Sequence, residues 1–303
     1  MAKEIEREDL PRVLELLQKV LGVDSYKIIK RMGGLTNRTY YVMIENGEEY
    51  IVRIPGEGTE ELIVRKDEKK CTKLACDLGI DADLVFFGDD GSKVTKYLEN
   101  AVTMSAETLH EEIYIEQIAQ IFKKLHSCGV DTKVPFEVFD MATGYEKIIY
   151  DKNVNMYDDY QEIKETVMKI KKEIDTVQKI EKVPCHNDAL CENWIDSDGH
   201  MYLIDWEYAG MNDGMWDLAD VSIEANYDEI HDTMLLSKYL GKEPSVSDKK
   251  HFMANKIYVD YLWTLWAKAR VPYDGQSMED WAFERYARLK NNIQIIKNIQ
   301  EEK

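Results

Sequence analysis

The chain has 303 residues, of which 39 are basic and 58 are acidic, so its formal net charge is −19. This balance argues against a nucleic-acid partner, because binding a phosphate backbone requires a basic surface. No apolar run approaches the ~18 residues of a membrane-spanning helix, so no membrane partner is expected. The length predicts roughly two lobes, each large enough to bury its own core.

The N-terminus and the cysteines predict a cytoplasmic protein. Residues 1–9 lack the apolar region of a signal peptide. The five cysteines are odd in number and show no C-x-x-C spacing, which is expected of reduced thiols. A zinc site on Cys185, His186 and Cys191 is the alternative, but no second ligand pair follows at the usual distance.

The N-terminal third of the chain predicts a small antiparallel sheet. An amphipathic helix is expected to start near Asp9, which is placed to cap it, and to end at Gly22. Asn46-Gly47 and residues 89–92 predict hairpin turns, and residues 60–78 predict one main helix. Strand-like runs cover residues 26–31, 39–44, 49–54, 85–87 and 93–97. These runs predict a sheet of about five strands.

The segment Gly33-Gly34-Leu35-Thr36-Asn37 lies between the first two predicted strands. One interpretation is a hairpin turn that needs glycine for its backbone conformation. The other is a turn over bound phosphates, in which glycine allows close backbone approach and the amides act as donors. Because the spacing does not match G-x-G-x-x-G, both interpretations stay open from the residues alone.

Arg53 is a single cation among the apolar residues of the third predicted strand, Tyr50-Ile-Val-Arg53-Ile-Pro. A charge among apolar residues needs a partner. Glu68, on the predicted helix over residues 60–78, is the candidate partner. The alternative is that Glu68 is an exposed helix residue among charged neighbours.

Beyond about residue 99 the pattern becomes mainly helical. Apolar residues recur at steps of three and four in each of these segments. Helices are expected over residues 111–128, 157–182, from about 217, over 250–270, and at the C-terminus. Together with the N-terminal sheet, these helices predict an α+β fold.

A hairpin is predicted in the middle of the second half of the chain. The apolar runs Trp194-Ile195 and Met201 to Ile204 flank the turn sequence Asp196-Ser-Asp-Gly199. Pairing of these runs brings Asn193, just before the first strand, close to Asp205, at the end of the second.

Asp188, Asn193 and Asp205 are therefore expected to converge, since Asp188 lies on the loop that leads into the hairpin. Phosphoryl transfer needs such a set: one carboxylate orients a hydroxyl, and an amide and a second carboxylate hold Mg²⁺ on nucleotide phosphates. The alternative is that these side chains only bind the local turn backbone.

The segments His186-Asn-Asp188 with Asn193, and Asp205-Trp-Glu207, resemble the H-x-D-x-x-x-x-N and D-x-[DE] motifs of aminoglycoside phosphotransferases and choline kinases, distant relatives of protein kinases. The resemblance implies a protein-kinase-like fold with a nucleotide-binding N-lobe over residues 1–98 and a helical C-lobe over residues 99–303. It implies ATP and Mg²⁺ as cofactors, with Asn193, Asp205 and Glu207 as metal ligands.

The same resemblance implies further roles in the site. Asp188 would orient the hydroxyl, and Arg53, positioned by Glu68, would bind nucleotide phosphates. The backbone of the segment Lys96-Tyr97-Leu-Glu99 would bond the adenine edge. Asp217 would brace the loop that carries Asp188, with helix capping as the alternative. The further predicted nucleotide contacts are Gly34, Thr36 and Asn37.

Aromatic residues near the C-terminus bear on the substrate. Trp263 and Trp266 lie on one helical face, and core packing is the alternative to a binding role. Trp263-Thr-Leu-Trp266 and Asp280-Trp281-Ala resemble elements of choline and ethanolamine kinases. The resemblance implies a choline pocket lined by these three tryptophans with Tyr208, Glu207 and Glu224, while a surface position is the alternative for Glu224. Leu190 departs from the polar residue of eukaryotic choline kinases.

The predicted function is Mg²⁺-dependent phosphorylation of the hydroxyl of choline by ATP. A kinase of another alcohol (ethanolamine, thiamine or an aminoglycoside) is the first alternative, and a catalytically silent binding module is the second. The sequence does not predict the oligomeric state or the pathway.

Overall fold

The computed structural model describes residues 9–32, 37–56 and 63–299, beginning with the amphipathic helix that the sequence predicts. The helices and strands follow in chain order: α1 (Asp9–Leu21), β1 (Tyr26–Arg31), β2 (Asn37–Ile44), β3 (Glu49–Pro55), α2 (Arg65–Asp77), β4 (Leu84–Phe87), β5 (Lys93–Lys96), β6 (Val102–Thr103), α3 (Glu112–His126), α4 (Val138–Asp151), α5 (Tyr160–Val177), β7 (Lys182–Cys185), β8 (Trp194–Ser197), β9 (His200–Leu203), β10 (Gly210–Asp213), α6 (Gly214–Glu224), α7 (Glu229–Leu240), α8 (Val246–Asp274) and α9 (Gln276–Asn298).

Two compact units divide these elements. The first contains Met1–Met104 and Glu192–Ala209, and the second contains Ser105–Cys191 and Gly210–Lys303. Residues 99–104 and 192–209, which the predicted division at residue 98 assigns to the second lobe, belong to the first unit. The reason is that β6 pairs with β8, and the Leu203 amide donates to the Ile80 carbonyl at 2.9 Å.

The first unit is built on a five-stranded antiparallel sheet, as predicted, and its strands lie in the order β1-β2-β3-β5-β4. Side chains alternate between the two faces of a strand, so β3 presents Tyr50, Val52 and Ile54 to one face and Arg53 to the other. The apolar face packs against α1 in a buried core. Its main buried members are Val13, Leu16, Leu17, Tyr40, Val42, Ile44, Tyr50, Val52, Ile54 and Val94.

The predicted hairpin is present in the first unit as β8 and β9. Its antiparallel pairing places Trp194 opposite Leu203 and Ser197 opposite His200. The connecting residues Asp198 and Gly199 have φ angles of 53° and 82°. Asp tolerates and Gly favours this left-handed region, which explains why the Asp-Gly dipeptide occurs at the turn.

The second unit is helical around α8, a 29-residue helix that is buried over most of its central part. It packs against α4, α5, α6 and α9. Strands β7 and β10 form a short antiparallel ladder that leads into α6. This combination of sheet and helices confirms the α+β class.

The predicted helices all form, but α4 and α7 were missed. Each of these two helices buries only two residues, so its apolar pattern is weak: Ala142 and Ile149 in α4, Leu235 and Leu236 in α7. Within the described ranges, no helix combines the length and apolar character needed to cross a bilayer. The five cysteines are free thiols.

Candidate active site

Arg53 and Glu68 form a buried ion pair in the first unit. Nη2 of Arg53 lies 2.5 Å from Oε1 of Glu68, on α2, and donates to the carbonyl of Gly91 at 2.9 Å. Both side chains are almost fully buried, so each charge depends on its partner for stabilisation. The predicted pairing is confirmed.

Arg65 enlarges this cluster, although the sequence analysis did not single it out. Its Nη1 donates to Oε2 of Glu68 at 2.7 Å and lies 3.9 Å from Oε2 of Glu207. Asn37, a predicted nucleotide contact, donates from Nδ2 to the same Glu207 oxygen at 3.1 Å. The three-residue spacing of Arg65 and Glu68 on one helix was the signal that could have identified Arg65.

Gly91 leaves space for the side chain of Arg65. Its φ angle is +88°, and a Cβ there would lie 2.5 Å from Nε and 2.6 Å from Cδ of Arg65. Glycine is needed here both for the left-handed conformation and for the close approach of the arginine side chain.

Asn193 and Asp205 flank the open end of the β8–β9 hairpin, as predicted. The Ile204 amide donates to the Asn193 carbonyl at 2.9 Å, which holds the two chain segments side by side. Asp205 has a φ angle of 68°, its side chain is 38% exposed, and its Oδ1 lies 3.6 Å from Nη1 of Arg53. A short polar side chain is among the few that tolerate this backbone conformation.

The charges of the cluster fit a divalent cation. The carboxylates of Glu68, Asp205 and Glu207 outnumber the two guanidinium groups that face them. Burial, together with the charges of Asp205 and Glu68, raises the pKa of Glu207 to about 7. Carboxylate and amide oxygens are the ligands that Mg²⁺ prefers in proteins, so the donor set of the first unit is suitable.

Arg53 also has unused donors. Its Nε and Nη1 are buried, and neither has a hydrogen-bond partner among the described residues. A buried guanidinium with free N–H groups is suited to a phosphate oxygen, which accepts charge-assisted hydrogen bonds. This group therefore fits an anionic cofactor such as a nucleotide.

The other residues predicted to contact the nucleotide are Gly34, Thr36, Tyr97 and Glu99. Gly34 and Thr36 fall outside the described residues. The amide of Tyr97 donates to the Glu49 carbonyl at 3.2 Å, and the ring of Tyr97 stacks on Tyr41 at 4.1 Å. The carbonyl of Glu99 accepts from Ser197 Oγ at 2.6 Å. Contact of Tyr97 and Glu99 with adenine stays a prediction.

In the second unit, the loop that carries Asp188 is held by two carboxylates of α6. Asp217 is fully buried and accepts from the amides of His186 and Asn187 at 2.9 and 2.8 Å. Asp220 accepts from the Ala189 amide at 2.5 Å. Asp217 is therefore a brace of the loop, as the resemblance implies. The cap of α6 is Asp213, which accepts from the Met215 amide at 3.0 Å.

Asn187 is held in a left-handed conformation directly before Asp188, with a φ angle of 69°. Its Oδ1 accepts from Asn212 at 3.0 Å, and its carbonyl accepts from Trp216 Nε1 at 3.1 Å. A left-handed conformation costs free energy at a residue other than glycine, so it persists only where several surrounding contacts hold the backbone in place. These contacts give half-buried Asp188 a rigid backbone. Asn187 and Asp220 were not predicted, because their partners are distant in sequence.

The structure also groups His126, Cys185 and Asp217, whose ligand atoms all lie within 4.8 Å of one another. Ring nitrogens of His126 bind Asp217 at 3.0 Å and Tyr239 at 2.9 Å. Burial raises the pKa of the Cys185 thiol well above its usual range. Through Asp217, which also binds the His186 and Asn187 amides, this trio supports the loop that carries Asp188.

The three predicted substrate tryptophans lie together in the second unit. The ring centroids of Trp263 and Trp266 are 6.1 Å apart at 89°, and those of Trp266 and Trp281 are 6.0 Å apart at 71°. Trp263 is buried, whereas Trp266 and Trp281 are half-buried. Each indole therefore faces a different direction from its neighbour.

Glu224 and Tyr208, also predicted near the substrate, lie in different surroundings. Glu224 ends α6 and forms an ion pair with Arg285 of α9, a residue that the sequence analysis did not consider. Tyr208 is half-buried and belongs to the first unit, next to Glu207 in the chain. The contact of either residue with a substrate stays a prediction.

Comparison with known proteins identifies the family. The family model described as choline/ethanolamine kinase matches residues 28–293 of the chain. The chain belongs to the choline/ethanolamine kinase family. A curated relative, protein LicA of Haemophilus influenzae, is 28% identical over 262 residues, which cover 83% of this chain and 96% of LicA.

Solved structures of the choline/ethanolamine kinase family resemble the whole chain. A family protein of Mesorhizobium loti has a TM-score of 0.82 at 28% identity and covers 94% of both chains. The choline kinase LicA of Streptococcus pneumoniae has a TM-score of 0.78 at 30% identity, covering 94% of this chain and 98% of its own.

A more distant likeness concerns the fold alone. An aminoglycoside phosphotransferase, solved with streptomycin and ATP, has a TM-score of 0.62 at 18% identity and covers 95% of this chain and 97% of its own. The protein-kinase-like fold that the sequence motifs imply is confirmed. As a member of the choline/ethanolamine kinase family, the protein is an ATP-dependent phosphotransferase.

Proposed function

We propose that this choline/ethanolamine kinase transfers the γ-phosphoryl group of ATP to the hydroxyl of choline, producing phosphocholine and ADP. The observation that carries the choice of choline is the edge-to-face series of Trp263, Trp266 and Trp281. Indoles facing different directions suit a compact trimethylammonium group, because cation–π attraction can act on it from several sides. Tyr208, Glu207 and Glu224 are proposed to complete its surroundings.

Asp188 is proposed as the catalytic residue that orients the alcohol. The choline oxygen attacks the γ-phosphorus, the bond from that phosphorus to the bridging oxygen of ADP breaks, and the Asp188 carboxylate accepts the hydroxyl proton. The support for this role is the fixed backbone of residues 186–189, whose amides bind Asp217 and Asp220. Because the backbone of Asp188 is already fixed, little conformational entropy is lost when its side chain orients the substrate.

Arg53, positioned by Glu68, is proposed to bind the nucleotide phosphates through the two guanidinium nitrogens that lack a hydrogen-bond partner among the described residues. Asn193, Asp205 and Glu207 are proposed to hold Mg²⁺. The bound ion supplies neutralisation of the phosphate charge. Gly34, Thr36, Asn37, Tyr97 and Glu99 are the further proposed nucleotide contacts.

The test is ADP release with Mg²⁺ and ATP on a panel of choline, ethanolamine, thiamine and kanamycin. We expect the highest kcat/KM with choline. In the variant Asp188→Asn, which keeps the size of the side chain but removes the proton acceptor, kcat should fall by about 10²–10⁴-fold while ATP still binds.

The other outcomes separate the alternatives. Turnover confined to another alcohol contradicts the choice of choline but leaves the kinase chemistry in place. Unchanged turnover in Asp188→Asn contradicts the role of Asp188. Failure of the wild type to bind ATP with Mg²⁺ supports a catalytically silent binding module.

A further inference from the structure

Several carboxylates near the tryptophans are bound to cations of the protein itself. Four buried or half-buried carboxylates on or against α8 and α9 each contact a lysine or arginine. The pairs are Glu224 with Arg285, Glu279 with Lys268, Asp260 with both Arg285 and Arg288, and Asp159 with Lys290.

Arg285 connects this charged set to the aromatic residues. Its guanidinium carbon lies 3.9 Å from the centroid of the Trp281 ring, and the whole residue is 3% exposed. Nη2 binds Glu224, and Nη1 lies 3.4 Å from Oδ1 of Asp260. The charges of Glu224, Asp260 and Asp220 raise the pKa of Arg285, so the guanidinium remains charged. One side chain therefore occupies a carboxylate and an indole at the same time.

This arrangement distinguishes between two kinds of ammonium group. A primary ammonium brings three N–H donors, and each of them needs an acceptor once water is removed. A trimethylammonium group has no N–H donor, and an aromatic ring attracts it without a hydrogen bond. Where carboxylates are occupied and the indoles of Trp266 and Trp281 remain partly exposed, the trimethylammonium group loses less on transfer from water.

We propose that Arg285 is a positioning residue that sets the preference for a quaternary over a primary ammonium, because it occupies Glu224 and orients Trp281. This inference rests on the proposed function, in which the tryptophans bind the amino alcohol. It goes further by predicting that Glu224 acts on the substrate only through its pairing with Arg285.

The test is the variant Arg285→Met, assayed on ethanolamine and its mono-, di- and trimethylated forms. Met keeps much of the side-chain volume but frees the Glu224 carboxylate for an N–H donor. The ratio of kcat/KM for choline to kcat/KM for ethanolamine should fall by at least about tenfold, since a hydrogen bond to a charged group is gained by ethanolamine alone. The change should appear in KM for the amino alcohol, with KM for ATP within about twofold of the wild type.

Two matched variants accompany it. Arg288→Met removes the same charge from the same helix and another contact with Asp260, but leaves the pair of Arg285 and Glu224 in place. It should keep the wild-type preference. The double variant Glu224→Gln/Arg285→Met removes the freed carboxylate, so the preference for choline should return. A merely structural role of Arg285 would not produce this reversal.

An unchanged ratio in a folded Arg285→Met variant, judged by its thermal unfolding, overturns the proposal. If that variant does not fold, Arg285→Gln takes its place, and a lower or an unchanged ratio supports or overturns the proposal in the same way. Turnover of none of the four amino alcohols contradicts the proposed function itself and removes the basis of both proposals.

Discussion

The two units each contain a buried cluster of arginines and carboxylates, and the clusters differ in what they leave unoccupied. In the first unit, two nitrogens of Arg53 have no hydrogen-bond partner among the described residues, and Asp205 is 38% exposed at the side chain. In the second unit, Arg285 directs both terminal nitrogens to carboxylates and its guanidinium to Trp281, and of its nitrogens only Nε has no hydrogen-bond partner among the described residues.

Under the proposed function, this difference assigns the two clusters to two differently charged substrates. A cluster with unmet N–H donors and one exposed carboxylate, that of Asp205, is suited to an anion together with a metal cation. A cluster whose carboxylates are occupied presents mainly aromatic surface, which suits a cation that forms no hydrogen bonds. Variants of the two arginines should therefore affect different substrates.

The largest effect is expected from Arg53→Met in the first unit. Loss of the guanidinium should lower kcat/KM for ATP by about 10²–10³-fold, as removal of a donor to a developing charge does in other active sites. KM for choline should stay within about threefold of the wild type, opposite to Arg285→Met. Steady-state kinetics with each substrate varied in turn measures this separation.

Arg38→Met is the control for Arg53→Met. Arg38 lies on β2, which pairs with the strand of Arg53, and it also forms an ion pair, with Asp9 at 2.6 Å. It should leave the kinetics of ATP unchanged. Equal loss in both variants would show that any missing charge disturbs the first unit, and the role given to Arg53 would be wrong.

A smaller effect is expected from Asp217→Asn in the second unit. The new NH₂ group would face the His186 and Asn187 amides, so at least one buried hydrogen bond is lost at a cost of about 1–3 kcal/mol. We expect a lower thermal midpoint and a roughly tenfold lower kcat, because the loop that carries Asp188 loosens.

Asp213→Asn is the comparison for Asp217→Asn, since Asp213 caps the same helix. Asn caps a helix as well as Asp does, so a cost of about 1 kcal/mol is expected from the weakened contact with His251, with little change in kcat. An equal fall of kcat in both variants would contradict the role of Asp217 in holding the loop that carries Asp188.

The smallest effect concerns the turns of the first unit. Gly47 and Gly91 have nearly the same φ, +87° and +88°, but a Cβ meets nothing within 4 Å at Gly47 and meets Arg65 at Gly91. Gly47→Ala should cost about 1–2 kcal/mol through backbone strain alone. Gly91→Ala should cost about 1 kcal/mol more and raise KM for ATP, because Arg65 must move. Denaturant unfolding and ATP kinetics distinguish the two, and identical behaviour would contradict the role of Gly91.

Sequence reasoning succeeded where a pattern is local. The hairpin that joins Asn193 to Asp205 follows from a turn sequence between two short apolar runs, and Arg53 was identified as a lone charge in an apolar strand. It missed Arg65 and Arg285, although each lies three or four residues from a residue that had been chosen. The reason is that a charged helix residue is ordinarily solvated, and the sequence alone does not show which ones are desolvated.

The sequence by itself was enough to predict phosphoryl transfer. The motifs around Asp188, Asn193 and Asp205 are recognised from the spacing of residues that lie close together in the chain. Tertiary structure alone decided which charges remain available. Glu224 and Arg285 are 61 positions apart, and only the packing of α9 against α8 and the rest of the second unit buries the arginine beside that carboxylate. Because the contribution of a charge depends on its desolvation and on the partners that reach it, the proposed preference for a quaternary ammonium rests on packing rather than on a motif.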